Sequence, residues 1–250
     1  MAKPFLSIII PAYNEAKRIS LTLVDIDQKL SAAEYDYEIL VVNDGSTDTT
    51  AAIVQNMAKG IKNVKLIDND HHKGKGGVVR QGMLLAKGKI RLMADADNST
   101  SINHVSAMLP HFKEGIEIVI ASRATAGSTL NPAGPLYRRI AGKAGNLIIQ
   151  ALLLPGIWDS QCGFKAFTEE AAEKIFSASR ISGWGFDAEA LALGILYGYR
   201  IKEIPVLWRD NESSRVDLSA YLKTLLETCK IRLWLWRHKY PHAQSNVKPK

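Results

Sequence analysis

Four short apolar runs, Leu6 to Ile10, Tyr37 to Val42, Val64 to Ile67 and Ile90 to Ala94, predict buried strands in the first half of the chain. Stretches of helical character lie between them, from about Glu15 to Leu30, onward to about Lys59, and from about Val78 to Ala86. Strand and helix alternating in this way predict an α/β fold, a mostly parallel, doubly wound sheet with helices on both faces. The predicted strands end in polar loops: Pro11-Ala12-Tyr13-Asn14-Glu15, Asn43-Asp44-Gly45-Ser46-Thr47-Asp48, and Asp95-Ala96-Asp97. In an open sheet of this kind ligands bind outside the carboxyl ends of the strands, which is where these loops fall.

The second half continues the pattern. Glu117 to Ala121 predicts a strand ending at Ser122-Arg123, and residues 125–135, rich in Gly, Pro, Ser and Ala, predict a mobile loop over the site. A helix over about 136–153, a loop and strand over 159–168, helices over 169–178 and 186–198, and a last strand over 201–207 follow. An amphipathic helix over 218–240 closes the chain, so residues 1–217 are expected to form the α/β domain and 218–250 an interfacial helix with a basic tail.

At 250 residues, 46% hydrophobic and 23% charged, the chain is long enough for one large α/β domain or two small ones. Cys162 and Cys229 show no metal-ligand or redox spacing. The first apolar run is too short for a signal peptide and no window reaches the length of a spanning helix, so the expected location is cytoplasmic, peripheral to a membrane. Of the net charge of +7, +6 falls after residue 217, leaving a nearly neutral body. A basic, aromatic tail on such a body points to an anionic membrane surface and away from nucleic acid.

The candidate chemistry centres on Asp95 and Asp97, two carboxylates one residue apart where an apolar strand stops. They suit Mg²⁺ or Mn²⁺, which take hard oxygen ligands and share them with substrate phosphates; the implied substrate is a nucleoside diphosphate compound. A polar turn and helix cap is the alternative reading of the same residues. Asp44 can accept from the ring N–H of uracil or a ribose hydroxyl, or can cap a helix, a task also open to Ser46 or Asp48. Gly74-Lys75-Gly76-Gly77 can cradle a phosphate or close a tight turn, and His71 and His72 read as solvated loop residues. Arg123, Arg138, Arg139, Lys165, Arg209 and Arg215 all follow the carboxylates. If several converge they would bind a second phosphate, with at most one of the adjacent Arg138 and Arg139 pointing inward.

The ordered set formed by residues 11–15, Val42-Asn43-Asp44-Gly45-Ser46, Asp95-Ala96-Asp97 and Ala121-Ser122-Arg123 resembles the inverting family-2 glycosyltransferases of GT-A fold. Gly74 to Gly77, Asp159-Ser160-Gln161-Cys162-Gly163-Phe164-Lys165, Trp184-Gly185-Phe186-Asp187-Ala188-Glu189 and Ile204-Pro205-Val206-Leu207-Trp208 narrow the resemblance to dolichyl-phosphate β-glucosyltransferases and related polyprenyl-phosphate glycosyltransferases. The resemblance implies that Pro11, Tyr13, Glu15, Asp44, Lys75, Asp95 and Ala96 bind the nucleotide sugar, with Asp95 and Asp97 holding the metal. It implies that Arg123, one of Arg138 or Arg139, Lys165, Arg209 and Arg215 surround the acceptor phosphate, with Asp97, Arg123 and Arg215 catalytic. Asp159, Gln161, Asp187 and Glu189 would position acceptor or sugar. Two departures stand out: Glu212-Ser213-Ser214-Arg215 replaces the frequent Glu-Gly-Ser-Lys, and the membrane anchors of many members are not seen, which leaves the terminal helix to substitute.

The expected activity is transfer of a hexose, glucose by the resemblance, from a UDP-sugar to a polyprenyl phosphate with inversion. GDP-mannose is the alternative donor, and a non-catalytic nucleotide-sugar or lipid-phosphate binding protein the alternative of another class. The terminal helix would meet a membrane, its own core or a second subunit.

Overall fold

The computed structural model describes residues 3–131, 136–209 and 218–241. The first half runs β1 (Leu6–Ala12), α1 (Ile19–Leu30), β2 (Tyr37–Asp44), α2 (Thr50–Gly60), β3 (Val64–Asn69), α3 (Lys75–Leu85), β4 (Ile90–Ala94), α4 (Val105–Lys113) and β5 (Ile118–Ser122). The second half adds β6 (Thr129–Asn131), α5 (Leu136–Leu152), β7 (Phe164–Thr168), α6 (Glu169–Ala178), α7 (Phe186–Leu196), β8 (Ile201–Pro205), β9 (Leu207–Arg209) and α8 (Leu218–Trp236).

Seven strands form the central sheet in the order β3-β2-β1-β4-β7-β5-β8. Alternation across β1 sends Ile9 to one face and Leu6, Ile8 and Ile10 to the other, so both faces need cover. Val78, Val79 and Met83 of α3, with α6 and α7, cover the first; Leu23 and Ile26 of α1, Val54 of α2 and Met108 of α4 cover the second. Gly82 lets α3 lie directly on the sheet, since a Cβ there would come 2.5 Å from Ile9 Cγ2 and 2.9 Å from Val42 Cγ2.

The sheet is parallel except for β7, which runs antiparallel between β4 and β5. Its first residue, Phe164, pairs with Ala94, the last of β4. Reversal therefore delivers the preceding loop, residues 159–163, to the carboxyl ends of the parallel strands.

Three boundaries differ from expectation. Helix α1 begins at Ile19, because Asn14 takes a left-handed φ of 53° and the chain turns before entering the helix. Helix α3 begins at Lys75, with Gly76 and Gly77 in its first turn rather than before it. Within the predicted mobile loop, β6 forms a parallel ribbon with β9 through Thr129 and Leu207, while residues 132–135 lie outside the described ones. The terminal helix also divides differently. Ala220, Thr228, Ile231 and, beyond the helix, Tyr240 are buried, whereas Leu222, Leu226, Leu233 and Trp236 are exposed together with Cys229. Tyr240, the last residue of the predicted helix, instead lies beyond α8 and belongs to the core.

Gly82→Val should lower stability by about 2–3 kcal/mol by overpacking α3 against β1 and β2. A denaturant midpoint unchanged from the parent would show that α3 does not lie this close to the sheet.

Candidate active site

Asp95 follows β4 directly, and its carboxylate lies 2.7 Å from Lys75 Nζ at the start of α3. Its other side rests on Gly163, where any Cβ would overlap the carboxylate. Thr22 donates to the Ala96 carbonyl at 2.7 Å, tying the short turn between the acids to α1. Asp97 accepts from the Ser99 amide at 2.9 Å, so the turn reading holds for one of its oxygens. Its other oxygen is 3.9 Å from Arg18, which also pairs with Glu15 at 2.6 Å. Arg18 went unnoticed in the sequence because nothing but its spacing from Glu15 distinguishes it. The Asp95 and Asp97 side chains keep 32% and 26% exposure, so both carboxylates can be reached from solvent.

Two further ion pairs surround this turn. Lys165 is buried and its ammonium meets Asp187 at 2.5 Å and the Cys162 carbonyl. It is an interior pillar, not the acceptor-facing cation expected, because β7 carries it into the sheet. Burial raises the Asp187 carboxyl above its usual range against the pull of Lys165 and Lys75. Burial works against charge on Lys75 too, but Asp95 and Asp187 outweigh it and its pKa is raised. Arg123 meets Asp159 through Nε at 2.8 Å and Nη2 at 2.9 Å, and its backbone amide donates to the same carboxylate at 2.8 Å. Burial would raise Asp159, yet Arg123 and its hydrogen bonds hold it below the ordinary carboxylate range. Glu203 accepts from the Trp158 and Asp159 amides at 2.9 and 3.0 Å, and the Arg123 guanidinium lies 5.4 Å from the Trp208 ring centroid. The Gln161 amide donates to Asp159 at 3.3 Å within the same loop.

The nucleoside candidates gather at the ends of β1 and β2. Asp44 is buried, accepting from the Lys73 amide at 2.6 Å and lying 3.0 Å from His72 Nδ1. It caps no helix; Asp48 accepts from the Thr50 amide at 2.9 Å instead. His72, expected to be a merely solvated residue, packs its ring on Tyr13 with centroids 4.6 Å apart. Pro11 lies within β1 opposite Val42, and the Glu15 amide donates to Thr50 Oγ1 at 2.7 Å.

The glycine run begins α3 and packs it against the segment at Ser182. Gly76 and Gly77 both donate to the Ser182 carbonyl, at 2.9 and 3.3 Å, which leaves these amides engaged with protein rather than with phosphate. Glu189 also departs from expectation. Its buried carboxylate accepts from the Arg180 and Ile181 amides and from Tyr240 Oη at 2.6 Å, so it is a core anchor and not a sugar-positioning group. Arg209 lies in β9, its amide donating to the Ser99 carbonyl at 2.8 Å. Arg138 and Arg139 fall in α5 with side chains outside the described ones, and Arg215 is outside altogether.

Among the described residues no cluster of three or more metal-ligating side chains occurs. Two partly exposed carboxylates still fit Mg²⁺ or Mn²⁺ by donor chemistry, since such ions take one or two protein carboxylates and complete their shell with water and diphosphate.

Asp159→Asn should cost about 2 kcal/mol at neutral pH, allowing for the partial exposure of Arg123. Because the folded pKa of Asp159 is depressed, its contribution is complete above the unfolded value of about 3.9 and is lost as pH falls through the lower folded value. Unfolding midpoints of the two proteins should therefore converge in acid; a gap that stays constant or widens below about pH 3 would contradict the pairing.

Comparison with known proteins places this geometry. The glycosyl transferase family 2 model matches residues 7–176. A dolichyl-phosphate beta-glucosyltransferase of Trichomonas vaginalis is 33% identical over 248 residues, 93% of this chain and 75% of that protein. The dolichyl-phosphate beta-glucosyltransferase of Dictyostelium discoideum is 34% identical over 252 residues, 94% of this chain and 77% of the relative. The human one is 32% identical over 225 residues, covering 84% and 69%. Among solved structures, glucosyl-3-phosphoglycerate synthase of Mycobacterium tuberculosis with Mn²⁺ and UDP-glucose superposes with a TM-score of 0.66 at 20% identity, covering 91% of this chain and 79% of that one. Mannosyl-3-phosphoglycerate synthase of Rubrobacter xylanophilus gives 0.69 at 15% identity, covering 98% and 79%. The fold is thus that of the GT-A enzymes, and the chain belongs to glycosyl transferase family 2, as a homologue of its dolichyl-phosphate beta-glucosyltransferases.

Proposed function

We propose that this glycosyltransferase moves glucose from UDP-glucose to the phosphate of a polyprenyl lipid of dolichyl type, with inversion at the anomeric carbon. The observation that carries the reading is the Asp95-Ala96-Asp97 turn, seated between Gly163 and Lys75 at the carboxyl end of β4. The relatives' names give the acceptor class, and a neighbour crystallised with Mn²⁺ and UDP-glucose supports the donor class.

In this reading Tyr13, His72 and Asp44 receive the base, Lys75 and Asp95 the ribose and diphosphate side. Asp95 and Asp97 would hold Mg²⁺ or Mn²⁺, which supplies positive charge against the leaving diphosphate. A phosphomonoester is largely ionised at neutral pH, so its oxygen attacks without a dedicated protein base. The protein's tasks are then to orient the acceptor and to lessen repulsion between two anions. Arg215 and one of Arg138 or Arg139 are assigned to that acceptor phosphate, while Arg123 and Asp159 brace the loop beside it.

The exposed row Leu222, Leu226, Leu233 and Trp236 on α8, flanked by Lys223, Lys230, Arg232 and Arg237, is assigned to an anionic membrane surface. No helix among the described residues is long and apolar enough to cross a membrane.

A panel of nucleotide sugars offered with a polyprenyl phosphate and Mg²⁺ or Mn²⁺ tests the activity. UDP-glucose should be used fastest and chelation should stop turnover; faster use of GDP-mannose refutes the donor, and nucleotide binding without release of UDP refutes the enzyme. Asp97→Asn should lower the rate about 100-fold or more with the fold intact, and normal turnover by that variant would remove Asp97 from the metal assignment.

The double variant Leu226→Glu, Trp236→Glu should abolish sedimentation with anionic vesicles while sparing transfer to a short, soluble prenyl phosphate. Binding of the parent protein should weaken with salt, since surface charges are screened within about 8 Å at physiological ionic strength; salt-independent binding, or none, would refute the membrane assignment.

A further inference from the structure

Glu227 is the one acid in α8, a helix that also carries Lys223, Lys230 and Arg232. Lys223 and Lys230 lie one turn to either side, at the i,i+4 and i,i+3 spacings that favour surface ion pairs. The carboxylate turns instead to the backbone amide of Gly185, at 2.6 Å. Gly183 and Gly185 both pack against it. A Cβ on Gly183 would overlap the carboxylate, and one on Gly185 would come 2.8 Å from Glu227 Cβ and 3.0 Å from Oε2. The glycines on each side of Trp184 are therefore explained by one side chain reaching in from the terminal helix.

The turn held in this way touches the donor side of the site along three routes. The Ser182 carbonyl accepts from Gly76 and Gly77, at the start of the helix that carries Lys75. The Trp184 ring centroid lies 5.5 Å from Lys75 Nζ, whose ammonium is 2.7 Å from Asp95. Gly185 is the N-cap of α7, and two residues later Asp187 meets Lys165 at 2.5 Å. A shift of the 182–187 turn would move the wall against Lys75 and the partner of Lys165 together.

We propose that Glu227 is a positioning residue for the nucleotide-sugar site, through which α8 holds Trp184 and Lys75 in register with Asp95. The assignment of that site to a nucleotide sugar rests on the function proposed above. Glu227 touches no substrate in this scheme and acts through the Gly185 amide. The arrangement also joins the helix assigned to the membrane to the donor pocket through a charge-assisted hydrogen bond.

The test compares Glu227→Ala, Glu227→Gln and Ile231→Ala in the full chain. Ile231 is buried on the same helix and loosens its seat on the core without touching the turn. Calorimetric affinity for UDP-glucose with Mn²⁺ is the main reading, because it reports on the donor site whether or not glucose reaches a polyprenyl phosphate. If no variant or parent transfers glucose, the function fails while this test still reads; if transfer occurs, donor and acceptor KM are measured as well. Glu227→Ala should weaken UDP-glucose binding about tenfold, the scale of one charge-assisted hydrogen bond, with acceptor KM within about twofold. Glu227→Gln, which keeps an oxygen acceptor for the Gly185 amide, should restore most of that loss. Ile231→Ala should lower the thermal midpoint yet bind UDP-glucose as the parent does. Unchanged affinity in Glu227→Ala, equal impairment in Glu227→Gln, or the same weakening in Ile231→Ala would each overturn the proposal.

Discussion

The reversed direction of β7 is the constraint on which the site depends. Parallel strands alone would end β4 and β5 at a common rim with nothing between Asp95 and Ser122. Because β7 enters at that rim and runs back, the residues just before it must lie across the strand ends, and Gly163 becomes the floor under the Asp95 carboxylate. The same reversal carries Lys165 inward to Asp187 and leaves Asp159, also buried, beside Arg123 at the end of β5. The placement of these side chains is thus a consequence of sheet topology before it is a matter of any single residue.

The three ion pairs, Lys75 with Asp95, Lys165 with Asp187 and Arg123 with Asp159, join segments far apart in sequence. Removing charges from water offsets much of the attraction between them, so such pairs are poor sources of net stability. Their value here is directional. Each carboxylate can be satisfied by its own cation in one arrangement of the loops, and a displaced loop would leave a charge without a partner. The Asp95 turn is held in place by pairs whose charges would be left without partners if a loop moved.

Most of the alternating strands and helices could be read from periodicity, because buried strands are apolar throughout and helices show a face. The direction of β7 could not, since a five-residue strand looks the same in either orientation. The acids at the end of β4 were legible because carboxylates rarely follow a buried strand without cause. Glu189 was not: in sequence it stands two residues from Asp187 and looks like part of the same motif, yet at the start of a helix that offset turns it to the opposite side, toward Tyr240. His72 and Arg18 were hidden for the reverse reason, as polar residues in polar loops whose partners come from other segments. The face of α8 was half legible, because its spacing shows amphipathicity but not which apolar residues the core claims.

Asn14 bears on the two loops that carry the proposed nucleoside contacts. Its left-handed backbone turns the loop after β1 toward the loop after β2, where its side-chain oxygen accepts from the Thr47 and Asp48 amides at 2.8 and 3.3 Å. Its own amide donates to Ser46 Oγ at 2.9 Å, so the two loops are stitched across both of their chains. The walls that carry Tyr13 and Asp44 are tied to each other by bonds between protein groups. The entropy of arranging that side of the proposed nucleoside pocket is then lost on folding instead of on association.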